Sequence, residues 1–328
     1  MNKENDYVYR EATESDFEAI ADFLVRHNYG PKHLKCSSED YLFWLKWKFL
    51  DNPDGEASIF IAEDSEGAVV GFRAYLPRRC MFPNGDIFMA SHGVDALTDK
   101  NLRKKGIYSN LRHFGFTKLQ HPRFSFPTKV TSSTRTRDGD RPIGRTNKWV
   151  FPAAVEQSIK NKPYGFIAPL AGFFAKCYTL LWLGNCPADL KLRPIKRFEK
   201  DIDENPGLIH CIRSAAYLNW RFIDNPWFDY ETCEFVEGNE CIGYCVYADT
   251  RLKAEIYEFV TSRRHRNCFR LLVEHCRKKG IANLRFRGVG LRLGKYGFIP
   301  RNEKLVSCNA ASDLPKGTWL ITLGDRDF

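Results

Sequence analysis

The sequence predicts two tandem units of the mixed α/β class, each with a mostly antiparallel sheet flanked by helices. Two observations lead to this prediction. The stretch WKFLDNP at 47–53 returns as WRFIDNP at 220–226, with only Lys/Arg and Leu/Ile exchanges. Behind each copy a strand, a polar turn and a second strand follow in the same order, at 58–76 and at 232–250. A repeated motif with the same hairpin behind it indicates an internal duplication.

The first unit begins with a predicted strand at 6–10 and a helix at 14–27, which Thr13 caps and acidic residues open. A second helix at 38–50 is capped by Ser37 or Ser38 and ends at Asn52-Pro53, because a residue before proline disfavours helix. Apolar alternation and turn residues predict the other elements. These are strands at 58–63, 68–76, 79–82 and 87–97, a helix at 105–119 and a strand at 123–127.

The second unit repeats this plan. Its predicted elements are a helix at 213–223, strands at 231–237, 241–248 and 254–261, a helix at 266–279, a strand at 282–287, a short helix at 290–296, and closing strands near 305–310 and 317–323. We therefore expect units at 1–160 and 206–328, joined by a helical linker at 161–205.

The linker contains an apolar stretch, YGFIAPLAGFFAKCYTLLWLG at 164–184, which is about as long as a membrane span. Pro169 and Lys176 lie inside it, so we expect a buried helix between the units and no transmembrane segment. Contact with a membrane surface is the alternative.

Charge and cysteine content narrow the setting. The net charge of +10 favours anionic partners such as nucleotides, phosphorylated cofactors, RNA or a membrane surface. The eleven cysteines, Cys36 to Cys308, form no C-x-x-C pair, which indicates free thiols in a reducing cytoplasm. The polar N-terminal residues are not a secretory signal. The eight histidines lack ligand spacing, so no metal is expected.

One strand-to-helix junction carries a chemical signal. Residues 94–111 read VDALTDKNLRKKGIYSNL, with three basic residues directly before Gly106. A helix N-terminus exposes backbone N–H groups, and a glycine there removes the Cβ that would keep a phosphate away. The stretch from Arg103 to Ser109 therefore suits a pyrophosphate. The second unit has TSRRHRNCFRLL at 261–272 without a glycine, so we expect only the first unit to bind the anion.

This junction resembles the signature of the GNAT superfamily of N-acyltransferases, Arg/Gln-x-x-Gly-x-Gly/Ala. Arg103, Gly106 and Tyr108 occupy its marked positions, and Tyr108 departs from the usual small residue. The segment TDKNLRKKGIYSNL and the closing WLITLGDRDF resemble a tandem-GNAT subgroup that is often encoded with polysaccharide biosynthesis genes. The resemblance implies two GNAT-like lobes, of which the first binds acetyl-CoA or another acyl-CoA and the second is degenerate.

The resemblance also implies where the co-substrate lies. The loop amides would hold the coenzyme A pyrophosphate, and the preceding strand would pair with the pantetheine arm. The residues so assigned are Val94, Ala96, Leu97, Thr98, Arg103, Lys104, Lys105, Gly106, Ile107, Tyr108 and Ser109.

Acyl transfer to an amine needs a neutral amine, an oxyanion donor and a proton for the leaving thiolate. Asp95 and then His92 are the candidate bases, and Tyr108 is the candidate acid. We expect the oxyanion donor to be a backbone N–H on the 94–98 strand, where a GNAT-type bulge would splay the sheet. Each side chain has a structural alternative: a carboxylate bonded to nearby backbone, a satisfied strand histidine, and a ring packed on the sheet.

The stretch 128–148 has almost no apolar periodicity and is rich in arginine. We predict a long cationic loop beside the acceptor pocket, with Arg135, Arg137, Arg141 and Arg145 binding an anionic acceptor such as a nucleotide-linked amino sugar. The alternative is a solvated, flexible loop.

The favoured function is an acyl-CoA-dependent N-acyltransferase, most simply an N-acetyltransferase, acting on a primary amine of a small molecule. A Fem-type transferase that takes its donor from charged tRNA is a second interpretation, and a non-catalytic CoA-binding protein is a third. The Arg103-x-x-Gly106 loop favours the first and disfavours nucleic acid as a partner. The acyl length, the acceptor and the oligomeric state stay open at this point.

Overall fold

The elements of the first half follow the predicted order as far as the fifth strand. The computed structural model describes residues 7–30, 36–126, 140–202, 207–301, 307–310 and 314–326. The strands are β1 (Val8–Glu11), β2 (Ser58–Glu63), β3 (Val69–Met81), β4 (Ile87–Thr98), β5 (Arg123–Ser125), β6 (Arg141–Arg145) and β7 (Asn147–Pro152). The helices are α1 (Phe17–Arg26), α2 (Ser38–Phe49), α3 (Ile107–Lys118) and α4 (Val155–Ile159).

The second half contains the linker helix and the second copy of the repeat. Its helices are α5 (Ala168–Leu183), α6 (Ala215–Leu218), which continues as a π-helical turn over Asn219–Ile223, and α7 (His265–Lys278). The strands are β8 (Leu190–Pro194), β9 (Ile209–Cys211), β10 (Glu231–Glu237), β11 (Glu240–Asp249), β12 (Lys253–Thr261), β13 (Asn283–Gly288), β14 (Ile299–Arg301), β15 (Ser307–Ala310) and β16 (Trp319–Leu320).

Two sheets form the framework, and the predicted mixed α/β class with two lobes is confirmed. The first sheet has the order β1-β2-β3-β4-β5-β15-β6, with β9 beside β3 and β16 beside β9. The second has the order β14-β7-β13-β12-β11-β10-β8. Helices cover both faces of the first sheet: Ile59 and Ile61 of β2 pack in the cluster of α1 and α2, whereas Phe60 and Ala62 pack in the cluster of α3.

The two lobes exchange strands: β7 joins the second sheet, and β9, β15 and β16 from the second half of the chain join the first sheet. β15, from late in the chain, lies between β5 and β6 of the first sheet. β7, from the first half, lies between β13 and β14 of the second sheet. The exchange crosses the predicted boundaries at 160 and 206 in both directions, so each sheet is completed by the other half of the chain.

Several predicted strands are corrected by this pairing. The strands near 305–310 and 317–323 were expected in the second unit, but β15 and β16 lie in the first sheet. The predicted loop at 128–148 is wrong from residue 141 onwards, where β6 and β7 form. Both strands pair with segments distant in sequence, which no local apolar alternation reveals. The predicted short helix at 290–296 is only a 3₁₀ turn, Gly294–Tyr296.

β3 is a single strand, whereas the sequence predicted two strands at 68–76 and 79–82. Pro77, which lies between the two predicted strands, pairs with Ser91 in the β3–β4 ladder. β2 begins opposite Tyr75, so β3 has no β2 partner at Pro77. A proline is tolerated where no neighbouring strand needs its missing N–H.

Helix α5 is not buried between the lobes, so the expectation of a buried linker helix is wrong. Only 28% of the helical stretch Gly165–Leu183 is buried. Its buried residues share one face, and α5 packs against α7 of the second lobe. By length and composition this stretch could cross a membrane, which is weak evidence for a span.

The repeated motifs contact each other directly. The rings of Trp47 and Trp220 stack with centroids 5.2 Å apart. Trp47 Nε1 donates to the Trp220 carbonyl at 3.1 Å, and Trp220 Nε1 donates to the Trp47 carbonyl at 2.7 Å. Both indoles are buried. Equivalent positions that bond reciprocally indicate a local two-fold relation between the lobes.

A buried charge cluster ties the C-terminal segment to both lobes. Arg213 lies 2.5 Å from Asp325 and 2.8 Å from Glu258, and Arg78 of β3 lies 3.5 Å from Asp325. Burial opposes ionisation of Asp325, but the two arginine cations outweigh it and hold its pKa below the ordinary value. The pairing keeps each buried charge compensated.

We predict that Trp47→Phe lowers the free energy of unfolding by about 1–3 kcal/mol, because the buried Trp220 carbonyl loses its donor. Phe43→Leu, on the exposed side of the same helix α2, is the matched control and should change it by less than about 0.5 kcal/mol. Urea unfolding measures both. Equal effects of the two changes would contradict the role assigned to the tryptophan pair.

Candidate active site

Strand β4 carries a bulge within the predicted 94–98 stretch. Ala74 of β3 faces two residues of β4, Val94 and Asp95, between regular pairs on either side. A bulge bends its strand, increases the local twist and leaves a backbone group outside the ladder. The predicted irregularity of this strand is therefore confirmed, and it provides backbone N–H groups that can point at a ligand.

The bulge follows directly after the last residue of β4 that pairs with β5. β4 pairs in parallel with β5 only at Ser91, His92 and Gly93. Over 94–98 its pairing in the described part of the chain is with β3 alone. Val94 is buried, and the three residues from Ala96 to Thr98 are half-buried. Among the described residues, the edge of β4 beyond Gly93 therefore has no strand paired with it on the β5 side.

The loop after β4 has two residues in the left-handed region. Lys104 has φ 69° and Gly106 has φ 83°, and α3 begins at the next residue. A Cβ at Gly106 would meet nothing closer than 3.9 Å, so the space above its backbone is open. Arg103, Lys104 and Lys105 are exposed. The first N–H groups of α3, from Ile107 to Ser109, have no intrahelical acceptor and follow these three exposed cations directly in the chain.

The same junction of the second lobe is arranged differently. Arg264 precedes α7 with φ 55°, and its Nη2 lies 2.5 Å from Glu237. Arg263 Nε lies 2.7 Å from the same carboxylate, and its Nη2 reaches Glu240 at 2.5 Å. Because these arginines already face carboxylates, this junction is less suited to bind an anion than the loop of the first lobe is.

Asp95 lies in a buried ion pair. Its Oδ2 is 2.6 Å from Lys48 Nζ, and its Oδ1 accepts a bond from the Tyr29 hydroxyl at 2.6 Å. The side chains of Asp95 and Lys48 are each only 3% exposed. The ammonium also lies 4.7 Å from the ring of Trp44. Both carboxylate oxygens are thus engaged by other side chains, and a paired, buried charge of this kind favours a structural role.

His92 precedes the bulge and is buried. Its ring stacks on Phe124 of β5, with centroids 4.7 Å apart and planes 3° from parallel. It also lines a small cavity of about 20 Å³ at the junction of the lobes, together with Lys48, Arg78 and Asp325. That volume is about the space for one water molecule.

Tyr108 lies in the first turn of α3 and contacts β3. Its hydroxyl oxygen accepts a hydrogen bond from Arg73 Nη1 at 3.1 Å. The buried Arg73 also donates to the Tyr75 hydroxyl at 2.5 Å, and a Cβ at Gly93 would lie 3.2 Å from its Nη2. Tyr108 is therefore held near Gly93, the last residue of β4 that pairs with β5. The Arg73 cation polarises its oxygen, and a tyrosine hydroxyl that accepts one hydrogen bond can also donate one.

The arginines predicted to bind the acceptor are only partly described. Arg135 and Arg137 lie outside the described residues, and for Arg145 the structure gives the backbone alone. Arg141 lies in strand β6, not in a loop, and its Nη2 donates to the Leu314 carbonyl at 2.6 Å. A substrate-binding role for these residues stays a prediction.

A larger cavity lies elsewhere in the molecule. Its volume is about 390 Å³, and its lining residues come from β3, β9, β12 and the C-terminal segment. Arg79, His210 and Glu258 contribute polar groups to it. The cavity is separate from the 103–109 loop. No group of three or more His, Cys, Asp or Glu side chains that could hold a metal ion occurs among the described residues.

Sequence reasoning missed Arg73 and Lys48, although both carry a signal. Each is a charged residue inside an otherwise apolar stretch, VVGFRAYL in β3 and WKFL in α2. Such residues are rarely buried without a partner. Their partners, Tyr108 and Asp95, were identified for other reasons, and only the fold brings each pair together.

Comparison with solved structures defines the class of fold. A GCN5-related N-acetyltransferase from Anabaena variabilis superposes with a TM-score of 0.62 at 12% identity, covering 93% of this chain and 72% of the other. A conserved protein from Enterococcus faecalis, described as a probable N-acyltransferase, gives 0.60 at 9% identity, with 93% and 71% covered. The chain therefore has the fold of the GCN5-related N-acetyltransferases.

The tandem form of this fold is matched as well. A tandem GNAT protein from the clavulanic acid biosynthesis pathway superposes with a TM-score of 0.53 at 13% identity, over 93% of this chain and 98% of the other. The predicted resemblance to duplicated GNAT proteins is thus confirmed at the level of the fold. No family model and no curated protein sequence matches this chain.

We predict that His27, which follows α1 and lies close to the loop, makes the free energy of unfolding depend on pH. Its side chain is 8% exposed and lies 3.6 Å from Asp99, just before the loop. Burial lowers its pKa below the ordinary 6.5, and Asp99 opposes the shift. The unfolded chain therefore binds more protons below about pH 6.5, so the free energy of unfolding falls as the pH drops through that range.

Urea unfolding at pH 7.5 and 5.5 measures this effect. His27→Gln should reduce the loss of stability between the two values, whereas His113→Gln, at an exposed histidine of α3, should leave it unchanged. An equal loss in wild type and His27→Gln would contradict the prediction.

Proposed function

We propose that the protein is an acyl-CoA-dependent N-acyltransferase, with acetyl-CoA as the expected donor and a primary amine of a small molecule as the acceptor. One observation carries the proposal. The left-handed, cation-rich loop lies between α3 and strand β4, and β4 bulges directly after its last pair with β5. An anion site and an open strand edge, joined by a few residues, suit a ligand with a phosphate group and an extended amide-containing arm.

The loop fits the phosphate end of such a ligand. The N–H groups from Gly106 to Ser109 would hold the pyrophosphate, with the helix dipole and the cations of Arg103, Lys104 and Lys105 favouring its charge. Ile107 would contribute only its amide, because its side chain is 1% exposed and packs in the core. The open space above Gly106 is what a close approach of phosphate requires.

The open edge of β4 fits the arm. Val94 to Thr98 would pair with its amide groups as a neighbouring strand would, since among the described residues β5 pairs with β4 only as far as Gly93. The thioester supplies an activated acyl group when bound. An N–H of the bulge at Val94 and Asp95 would then stabilise the developing oxyanion. The amine nitrogen bonds to the acyl carbon, the carbon–sulfur bond breaks, and the amine proton leaves as the thiolate is protonated.

We assign the proton transfers to two side chains on opposite faces of the first sheet. Tyr108, fixed by Arg73 on the α3 face, is the candidate acid for the thiolate. The ion pair with Lys48 makes Asp95 a positioning residue that supports the bulge from the α2 side. His92 of β4, which stacks on Phe124 of β5 and lines a small cavity with Lys48 on that same side, is then the candidate base. These are the same three residues that the sequence predicted. The one change in this proposal is that Asp95 supports the bulge and His92 alone is the base.

We predict that Gly106→Gln weakens acetyl-CoA and CoA binding about tenfold or more, because it puts a side chain into the anion space and strains a left-handed backbone. Gly67→Gln is the matched control. Gly67 has φ 79°, equally open surroundings and a place in the β2–β3 turn, away from the loop. Calorimetric titration measures the affinities, and the control should bind like wild type.

The outcomes of that titration separate the interpretations. Undiminished binding by Gly106→Gln would contradict the phosphate role of the loop. Absence of CoA binding, together with saturable binding of a tRNA pool, would replace the proposal with a Fem-type transferase. Tight CoA binding without acetylation of any amine in a broad panel of amino sugars and amino acids would leave a CoA-binding protein.

We predict that Tyr108→Phe lowers kcat by about 10²–10⁴-fold while leaving the affinity for acetyl-CoA within about twofold, since it removes only the proton donor. Tyr9→Phe is the control, because the Tyr9 hydroxyl also bonds α3, through Asn110, but lies away from β4. Thiol release with the acceptor found in the amine panel measures kcat. An unchanged kcat would show that Tyr108 only packs on the sheet.

A further inference from the structure

Helix α5 presents a large apolar face to solvent. Phe166, just before the helix, and five residues on it are exposed by 50–83%: Leu170, Phe173, Phe174, Leu180 and Leu181. These six residues define the apolar face. Soluble proteins rarely expose a contiguous set of this kind unless it meets a partner or a membrane. The buried residues of α5, from Ala168 through Gly172, Ala175 and Thr179 to Leu183, occupy the opposite side.

Polar bonds fix the helix in this orientation. Arg277 Nη2 donates to Thr179 Oγ1 at 2.9 Å, and the Tyr178 hydroxyl donates to the Gly297 carbonyl at 2.6 Å. Both bonds join α5 to the second lobe. A transmembrane orientation would separate these groups and place them in hydrocarbon, where they would lack partners. The helix is therefore held flat on the protein, with the apolar face outward.

The charged residues in the segment that carries the apolar face are all basic. No Asp or Glu occurs between Glu156 and Asp189, whereas Lys160, Lys162 and Lys176 lie in this segment and are all exposed. A second copy of this chain on the same face would bring these lysines near their equivalents with no carboxylate from the segment to offset them. An anionic lipid surface supplies the missing negative charge, and lysine stems can extend along apolar surface toward it.

We propose that the apolar face of α5 docks the protein on the surface of an anionic lipid bilayer, with the helix lying in the interfacial plane. The phenylalanine and leucine side chains enter the boundary between headgroups and acyl chains, and the lysines contact the headgroup phosphates and carboxylates. Such helices combine buried apolar area with electrostatic attraction, so both parts should contribute to binding.

Co-sedimentation of the purified full chain with vesicles tests this proposal. We expect the protein to bind phosphatidylcholine vesicles that contain phosphatidylserine, and to bind pure phosphatidylcholine vesicles at least about fivefold less. Phe173→Glu and Leu181→Glu should each lower the partition coefficient about tenfold or more. Lys162→Glu should lower it on the anionic vesicles only. Binding should also fall as salt rises, because headgroup attraction is screened.

Phe43→Glu is the matched control, since Phe43 is 63% exposed on α2 and far from α5 in the chain. It should bind vesicles like wild type. The proposal is overturned if wild type binds neither vesicle, or if Phe173→Glu and Phe43→Glu behave alike. It is also overturned if sedimentation shows a wild-type dimer that Phe173→Glu dissociates, because the face would then serve a second copy. The CoA titration does not depend on this outcome.

Discussion

The reciprocal contact between Trp47 and Trp220 is the constraint on which the arrangement of the two lobes depends. Each indole gives its N–H to the backbone of the other repeat, so two buried donors and two buried acceptors are satisfied together. This geometry is available only when the repeats face each other about a two-fold axis. Around that axis lie His92, Arg78 and Asp325, which line the same small cavity as the tryptophans. Because His92 belongs to β4, packing at the interface of the lobes also supports the strand that forms the candidate site.

Much of the fold could be predicted because the repeat carries strong local signals. Ser37 caps α2 as expected, and β2 and β10 begin and end within a residue of the predicted bounds. The strand exchange could not be predicted, since β7 and β15 find their partners in the opposite half of the chain and local patterns do not specify which sheet a strand joins. Composition also misplaced α5, because an apolar helix with one buried side has the same composition as a fully buried one.

The site was predictable to the extent that its chemistry is local. The basic residues and Gly106 are adjacent in sequence, and the structure adds a second reason for the glycine, its left-handed φ. The ion pair of Asp95 was not predictable, because its partners Lys48 and Tyr29 come from distant elements. Arg73 is a second example. It lies in β3, its partner Tyr108 lies in α3, and only the fold brings the two side chains together.

The exchange of β7 and β15 also constrains how the chain folds as it is synthesised. A ribosome releases β5 and β6 long before β15 exists, so the first sheet keeps an open edge beside β5 for much of translation. β7 meanwhile has no sheet to join until β13 is made. Open strand edges pair readily with other chains. The nascent protein is therefore exposed to misassembly for longer than two independent lobes would be, and rapid closure of both sheets must wait for the last segments to emerge.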